Sequence, residues 1–468
     1  MAMNFLSQNP TTLQLNSNAF NSHVAAHGLG LGDQVRSLRP SIEAFRRFGW
    51  IPQPDAYEKW MQDLKSKILP VVSKMPAPGV PYGSKKDAPE LLAPIQEFKE
   101  FIEGSAVVYT DMLRMFKDMD QSFPKCYNEM LLVFNEIFRQ APLFGSLGPP
   151  MYMIMANVMN TEGGFSAFTK ESLNSHFKKM LQTWQRFLSS KDSTSVLSDQ
   201  LHNGWFTNEA LEALMKDYPG RAFEQVFVCD PTKEAWGFTS FDDFFVRRYR
   251  EPSTDRPIED FGDPDKIGAS CESAFYAVQY GVKETDELFI KDEAYSLVHL
   301  LAGDESVESF IGGSIIQSFL DTNGYHRWHA PVSGIIEKIV DVPGTYFAQA
   351  PSLIGPQSDA KALPPFLQSL QFFANTAARQ LIFIKADNDK IGLMCFIAIG
   401  MTEISTCQAT VHQGQHVDRG DELGMFHFGG SSNAMVFRKD ANVRFDPEYT
   451  RADAHIRINT IIGAVTVS

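Results

Sequence analysis

The sequence predicts an α+β protein in which a helical N-terminal domain precedes a β-rich one. Three observations carry that reading. Between about residues 41 and 235, apolar side chains recur at the i, i+3 and i+4 spacing of a helix face. From about residue 240 the pattern changes to short β-branched runs separated by Gly, Pro, Asp or Asn, as in strands and turns. With 468 residues, 44% of them hydrophobic, the chain is also long enough to bury two cores.

Residues 1–40 are rich in Asn, Gln, Ser and Gly without periodicity, the composition of a disordered segment. The helical domain, residues 41–235, starts near Ser41. Within it, residues 74–86 hold three Pro and two Gly and read as a surface loop. Met130, Phe134, Ile137 and Phe138 form one helical stripe. Leu173, Phe177, Leu181, Trp184 and Leu188 form another, with Thr169 as its expected N-cap. Such stripes are core rather than a cofactor box by the usual burial preferences. The β-rich domain, residues 236–468, is expected to place strands at 332–340, 380–386, 391–399, 405–411 and 456–467.

A net charge of −14 argues against nucleic acid or an anionic lipid surface as a partner. The five cysteines, Cys126, Cys229, Cys271, Cys395 and Cys407, are odd in number and lack C-x-x-C spacing. They fit a reducing compartment and neither a disulfide framework nor a zinc ribbon. The first 35 residues carry no Lys or Arg and no apolar run of signal-peptide length. The longest apolar stretch, residues 391–401, is far short of a bilayer span. A cytoplasmic protein with no membrane attachment is the expectation.

Chemistry concentrates near the C-terminus, at Gly424-Met425-Phe426-His427-Phe428-Gly429-Gly430-Ser431-Ser432, close behind Gly414-Gln415-His416-Val417-Asp418-Arg419-Gly420-Asp421. A Gly-Ser bond on a tight turn can attack itself. The Ser431 hydroxyl adds to the Gly430 carbonyl, the acyl group shifts from nitrogen to oxygen, and the ester eliminates. The dehydroalanine left at 431 then hydrolyses to a pyruvoyl group, a ketone that condenses with an amine and serves as an electron sink. Glycine at 429 and 430 makes a strained backbone cheap. Read alone, these residues are also ordinary hairpin punctuation. Residues 414–424 resemble turns of biotin and lipoate carrier domains as well, but no lysine to modify lies between Lys390 and Lys439.

Phe428-Gly429-Gly430-Ser431-Ser432 resembles the self-cleaving L-G-S-T or G-G-S-T motif of the phosphatidylserine decarboxylase superfamily, with serine where threonine is usual. Residues 391–405 resemble that family's apolar strand and V-G-A turn. Tyr325-His326-Arg327-Trp328-His329-Ala330-Pro331-Val332-Ser333-Gly334 is similar to its D-Y-H-R-x-H-x-P-x-x-G. Phe241-Asp242-Asp243-Phe244-Phe245-Val246-Arg247 and Arg256-Pro257-Ile258 match its F-x-x-F-F-x-R and R-P-I. In the N-terminal half, residues 94–99 and 147–156 are similar to the fungal L-tryptophan decarboxylases of the psilocybin pathway, so the resemblance covers nearly everything after Ser41. It implies a phosphatidylserine-decarboxylase-like catalytic domain, cleavage between Gly430 and Ser431, and a pyruvoyl group derived from Ser431, with no pyridoxal phosphate or metal required. The two chains, 1–430 and 431–468, would stay paired without a covalent link.

The resemblance also implies roles. His329, the second histidine of H-x-x-H, is the expected base for Ser431. His326 is expected to contact the substrate carboxylate or protonate the carbanion, tasks suited to a group that titrates near neutrality. The family orients its base with the aspartate of P-A-D-G; the counterpart here, Ser270-Cys271-Glu272-Ser273, puts the longer Glu272 in that role. Residues three apart on a flat strand face opposite sides, so both histidines reach one site only if the backbone turns near Trp328. Without the family, the pair reads as two satisfied surface histidines or half a metal site, and an H-x-x-H with no neighbouring Glu ligand is weak evidence for zinc.

Gly324 stands where the family has an aspartate, and Phe372-Phe373-Ala374-Asn375-Thr376-Ala377-Ala378-Arg379 replaces its F-x-x-N-E-R. Losing those acids favours a small amino acid over a phospholipid. Trp328, Tyr346, Phe347 and Phe373 offer apolar surface to an aromatic side chain, a burial worth about 25 cal/mol per Å², or are plain core packing. The expected reaction is decarboxylation of an aromatic L-amino acid, foremost L-tryptophan to tryptamine and CO2. The helical domain is expected to cover the pocket. Rival readings are a phosphatidylserine decarboxylase making phosphatidylethanolamine, a non-catalytic interaction protein, and a serine hydrolase built from Ser431, His329 and Glu272. The hydrolase reading lacks the final glycine of G-x-S-x-G.

Overall fold

The computed structural model describes residues 35–37, 40–52, 54–76, 89–118, 123–144, 149–286, 294–355, 363–403, 406–428 and 431–466. The helical part includes the helices Pro54–Val72, Ala93–Gly104, Ala106–Lys117, Tyr127–Ile137, Pro150–Met159 and Glu171–Leu188. Hydroxyl side chains start several others: Ser41 caps Ile42–Arg47, Thr161 caps Glu162–Phe168 and Thr207 caps Asn208–Leu214. Both predicted stripes are helical and buried. Thr169, however, does not cap the second. Its hydroxyl bonds back to the Phe165 carbonyl at the end of the preceding helix, and Lys170 holds the cap position without a side-chain bond.

The strands are β1 (Val35–Ser37), β2 (Lys266–Gly268), β3 (Ser273–Tyr280), β4 (Ser314–Leu320), β5 (Arg327–His329), β6 (Gly334–Val342) and β7 (Arg379–Ala386). They continue with β8 (Leu393–Gly400), β9 (Cys407–Ala409), β10 (His416–Val417), β11 (Glu422–Phe426), β12 (Ser431–Phe437), β13 (Val443–Phe445), β14 (His455–Ile456) and β15 (Ile461–Val465). The main antiparallel sheet runs β1-β3-β4-β12-β8-β7-β6-β10, with β14 also on β3. Two small sheets, β5-β11-β9 and β13-β15-β2, accompany it. β1 lies inside the segment predicted to be disordered: Val35–Ser37 pairs with β3, because an edge strand presents free N–H and C=O groups to any extended neighbour. The rest of residues 1–34, and residues 77–86 of the predicted loop, lie outside the described residues.

Two cores form, but they do not follow the predicted boundary near residue 235. The first joins the helices to one face of the main sheet, from Phe98, Phe134 and Phe177 through Phe347 and Phe373 to Ala434 and Val436. The second fills the opposite face, where Met435, Phe437 and Phe396 meet Trp328, Leu423 and Phe426 of the small sheet. Successive residues of β12 alternate between the two, as a strand's two-residue period requires. Helices and sheet therefore share one core.

Candidate active site

Ser431 opens β12, the strand hydrogen-bonded to β4 on one side and β8 on the other. It pairs with Gly400, and Ser432 pairs with Phe319. By alternation the Ser431 side chain shares the face of Met435 and Phe437, that of the second core. It is 0% exposed, and its hydroxyl has no hydrogen-bond partner among the described residues. Ser432, on the other face, is fully satisfied by Gln317 and the Ser318 carbonyl. A buried hydroxyl left bare beside one that is bonded needs an explanation. Gly429 and Gly430, the other half of the predicted cleavage site, lie outside the described residues.

His326 reaches this end of the sheet by another path. β4 ends at Leu320, the chain turns through Asp321 to Gly324, and His326 then accepts through its carbonyl from Phe426 N–H at the end of β11 (3.0 Å). Its ring is 0% exposed and stacks on Phe245 at 4.0 Å, and Phe245 packs in turn on Phe428, three residues ahead of Ser431. Neither ring nitrogen makes a hydrogen bond of good geometry among the described residues, although the Asp321 and Thr322 backbone lies close enough to favour the protonated ring slightly. Burial, seconded by the Arg247 guanidinium, drives its pKa down to about 3, so the imidazole is neutral at physiological pH. Arg247 itself stacks on Phe227 at 4.7 Å and donates to the Asn323 carbonyl at 2.7 Å, so the arginine of the F-x-x-F-F-x-R segment supports the turn that delivers His326.

His329 is held differently. Its Nδ1 lies 2.7 Å from the Gly420 carbonyl, which can only accept, so Nδ1 carries the proton. Nε2 is left as the acceptor and takes the Tyr325 hydroxyl at 3.0 Å. Burial holds the His329 pKa below the usual imidazole value. Gly420 adopts φ +95°, and a Cβ there would lie 2.5 Å from Ile258, so glycine is required where the turn meets the histidine. The carrier-like turn thus orients His329, a role the sequence reading missed. A carbonyl carries no side-chain signature, so only the glycine pattern of 414–424 pointed to it.

Glu272 is not the partner of His329. Its carboxylate is buried in an ion pair with Arg256 of the R-P-I segment (Nη2 to Oε2, 3.2 Å), and it also accepts from Ile458 N–H at 3.1 Å. Arg256 lies 5.3 Å from the ring of Tyr249, Tyr249 packs on Tyr325 at 4.4 Å, and Tyr325 bonds His329. The acid is therefore connected to the histidine through a guanidinium and two phenols rather than directly.

The H-x-x-H geometry follows the flat-strand case. β5 is regular across Arg327–His329, and the irregularity lies on its neighbour β11 between Glu422 and Gly424. Trp328 turns into the second core against Phe396 and Phe426, and its indole N–H is buried without a partner among the described residues. The four aromatic residues predicted to line a pocket are not brought together: Tyr346 packs on Phe177 in the first core. Phe347 packs on Phe168 and Phe177 and Phe373 on Phe366, all in the first core, so only Trp328 shares the face of Ser431.

One further group was not anticipated. Glu403, three residues beyond the Gly400 that pairs with Ser431, is buried, and its carboxylate takes the Met151 and Tyr152 N–H groups of the helix Pro150–Met159 at 2.7 and 3.1 Å. Desolvation raises its pKa to about 7. Thr402 beside it takes φ +57°, an uncommon conformation for a β-branched residue and of the strained kind found at functional sites. Among the described residues no cluster of three or more His, Cys, Asp or Glu could hold a metal ion, and no helix is long and apolar enough to cross a membrane.

Comparison with known proteins places the chain in a family. Residues 241–464 match the family described as phosphatidylserine decarboxylase, and residues 92–214 match a second family of the same description. The chain is 52% identical over 440 residues to the L-tryptophan decarboxylase of Psilocybe cyanescens, covering 92% of this chain and 97% of that one. It is 50% identical to the L-tryptophan decarboxylase of Psilocybe cubensis with the same coverage. The decarboxylase iboD of Amanita muscaria is 40% identical over 325 residues, 68% of this chain and 91% of the relative. Matches of this length and identity leave one assignment: the chain belongs to the phosphatidylserine decarboxylase family of pyruvoyl-dependent carboxy-lyases.

Proposed function

We propose that the chain cleaves itself between Gly430 and Ser431 and then decarboxylates an aromatic L-amino acid, foremost L-tryptophan to tryptamine and CO2. The observation that carries this is Ser431, a fully buried serine at the head of a central strand, with a bare hydroxyl and with two glycines before it. Those features fit a pyruvoyl group at 431, and strand pairing on both sides would retain the small chain after cleavage. Such a group supplies a ketone for the substrate amine and a sink for the electrons of the departing carboxylate.

The protein's own residues handle protons and exclude water. The flat strand turns His329 to the side opposite Trp328, so the Ser431 proton reaches Nε2 of His329, the unprotonated nitrogen, through the Tyr325 phenol and not by direct contact. Gly420 holds the ring in that tautomer and takes the place expected of Glu272. His326, neutral and with no well-formed hydrogen bond among the described residues, offers one N–H donor and one acceptor to the substrate carboxylate in a buried site. Trp328 lies on the same face as Ser431, while Phe347 and Phe373 serve as packing.

Two named L-tryptophan decarboxylases, matched across nearly their whole length, favour the amino-acid substrate. The phosphatidylserine decarboxylase family match favours a phospholipid instead. An intact-mass spectrum with and without a carbonyl-reactive amine tests the cofactor. A fragment of residues 431–468 bearing pyruvoyl and shifting with the amine is expected; a single 52.5 kDa species from active protein would refute it. Turnover of free L-tryptophan, set against detergent-dispersed phosphatidylserine, then decides the substrate.

A further inference from the structure

Asp242, Gln408 and His427 take no part in the chemistry above, yet they meet on the segment that leads into the scissile bond. His427 lies four residues ahead of Ser431 and leaves β11 with its N–H on the Thr406 carbonyl (3.1 Å). Its Nδ1 is 2.9 and 3.0 Å from the two carboxylate oxygens of Asp242, in the short helix Phe241–Phe245. A carboxylate only accepts, so Nδ1 carries the proton. Nε2 is 2.6 Å from the side-chain amide of Gln408 on β9, which closes the second nitrogen either as acceptor or, turned over, as donor. Both partners of this hydrogen-bonded pair are largely shielded, with side chains 12% and 11% exposed. Phe428 follows as an apolar knob, its ring 5.3 Å from Trp184, 5.3 Å from Phe241 and 5.4 Å from Phe245.

Downstream of the bond, Ser431–Phe437 is fixed by pairing with β4 and β8. Upstream, the fixed points are this Asp242–His427 hydrogen bond and this knob, both set against helices. Self-acylation needs the hydroxyl held near its own preceding carbonyl, a geometry that a glycine's wide choice of backbone angles does not by itself select. We propose that the Asp242–His427 pair, with Phe428, is the anchor that positions the upstream side of the Gly430–Ser431 bond for self-cleavage; this rests on the self-cleavage reading. Both nitrogens of His427 are occupied, so it is a positioning residue and not the base. Both members of the pair lie in the large chain, so the anchor has no part in retaining the small one.

The test is the rate of appearance of the 431–468 fragment by intact mass in full-length wild type, His427→Ala, His427→Asn, Asp242→Ala and Ser431→Ala, with thermal unfolding of each. His427→Ala and Asp242→Ala are expected to slow cleavage on the order of 10- to 100-fold. His427→Asn, which keeps an N–H for Asp242, should recover most of the rate at an unfolding temperature like that of His427→Ala. Equal rates in wild type and the alanine variants would overturn the anchor while leaving self-cleavage standing, and so would a rate that tracks unfolding temperature across all variants without rescue by asparagine. A wild-type chain that stays whole would overturn the self-cleavage reading itself. Should His427→Ala not fold, Gln408→Ala and His427→Asn carry the same comparison.

Discussion

Two neighbourhoods at the same end of the main sheet handle polarity in opposite ways. At Ser431 and His326, buried polar atoms make no well-formed hydrogen bond among the described residues, and the His326 ring stacks on Phe245. Around Glu272 and His329, polar groups are wired together: carboxylate to guanidinium, phenol to imidazole, imidazole to carbonyl. An unmet buried donor or acceptor costs about 1–3 kcal/mol. A protein that tolerates several in one place and satisfies them a few residues away is keeping the first place for something that arrives during the reaction. The wired region keeps the walls still.

The contrast breaks most completely at the serine. Ser431→Ala should abolish fragment formation and all carbonyl reactivity while leaving the fold intact, read by intact mass and circular dichroism; any pyruvoyl in that variant would end the argument. His326→Gln sharpens it next. Removing the bare imidazole should leave self-cleavage in place and lower turnover by roughly 10²- to 10⁴-fold, whereas His329→Gln should block cleavage itself. If both variants lost the same step, the two neighbourhoods would not be functionally distinct.

In the wired region the expected losses are of stability. Glu272→Ala strands Arg256 in a buried site and should cost about 3–5 kcal/mol in urea unfolding, with the folded fraction still cleaving. Abolished cleavage in a stable Glu272→Ala protein would restore Glu272 to the orienting role. Glu403 adds a pH signature. Its folded pKa of about 7 lies above the ordinary glutamate value of 4.5. The native state therefore binds the extra proton, and the stability it contributes is complete below about pH 4.5 and lost as pH rises through 7. On the order of 3 kcal/mol is at stake. Glu403→Gln should flatten that slope between pH 5 and 8; an unchanged slope would remove Glu403 as its source. The smallest change in stability belongs to Tyr325→Phe, which frees Nε2 of His329 at a cost of about 1 kcal/mol and, by removing the relay, should slow cleavage far more than it shifts the melting temperature.

Much was legible from local pattern. The α+β order, the helix at 171–188 and the strands around 334–342, 379–386 and 393–400 follow from side-chain periodicity, which depends only on neighbours in the chain. So does the chemistry open to Ser431, because a serine after two glycines carries that potential in its covalent structure. Which groups stand around it was decided in three dimensions. Glu272 and His329 looked like partners by motif order, but the nearer opposite charge of Arg256 took the carboxylate and the Gly420 carbonyl took the imidazole. Trp328, Phe347 and Phe373 looked alike as apolar surface, but the main sheet stands between their two cores. Asp242 and His427, 185 residues apart, had no local signal of meeting. A sequence sets what each residue can do through bonds and short-range pattern; hydrogen bonds and ion pairs go to whichever partner the folded backbone brings within about 3 Å, and that distance exists only once the cores have packed.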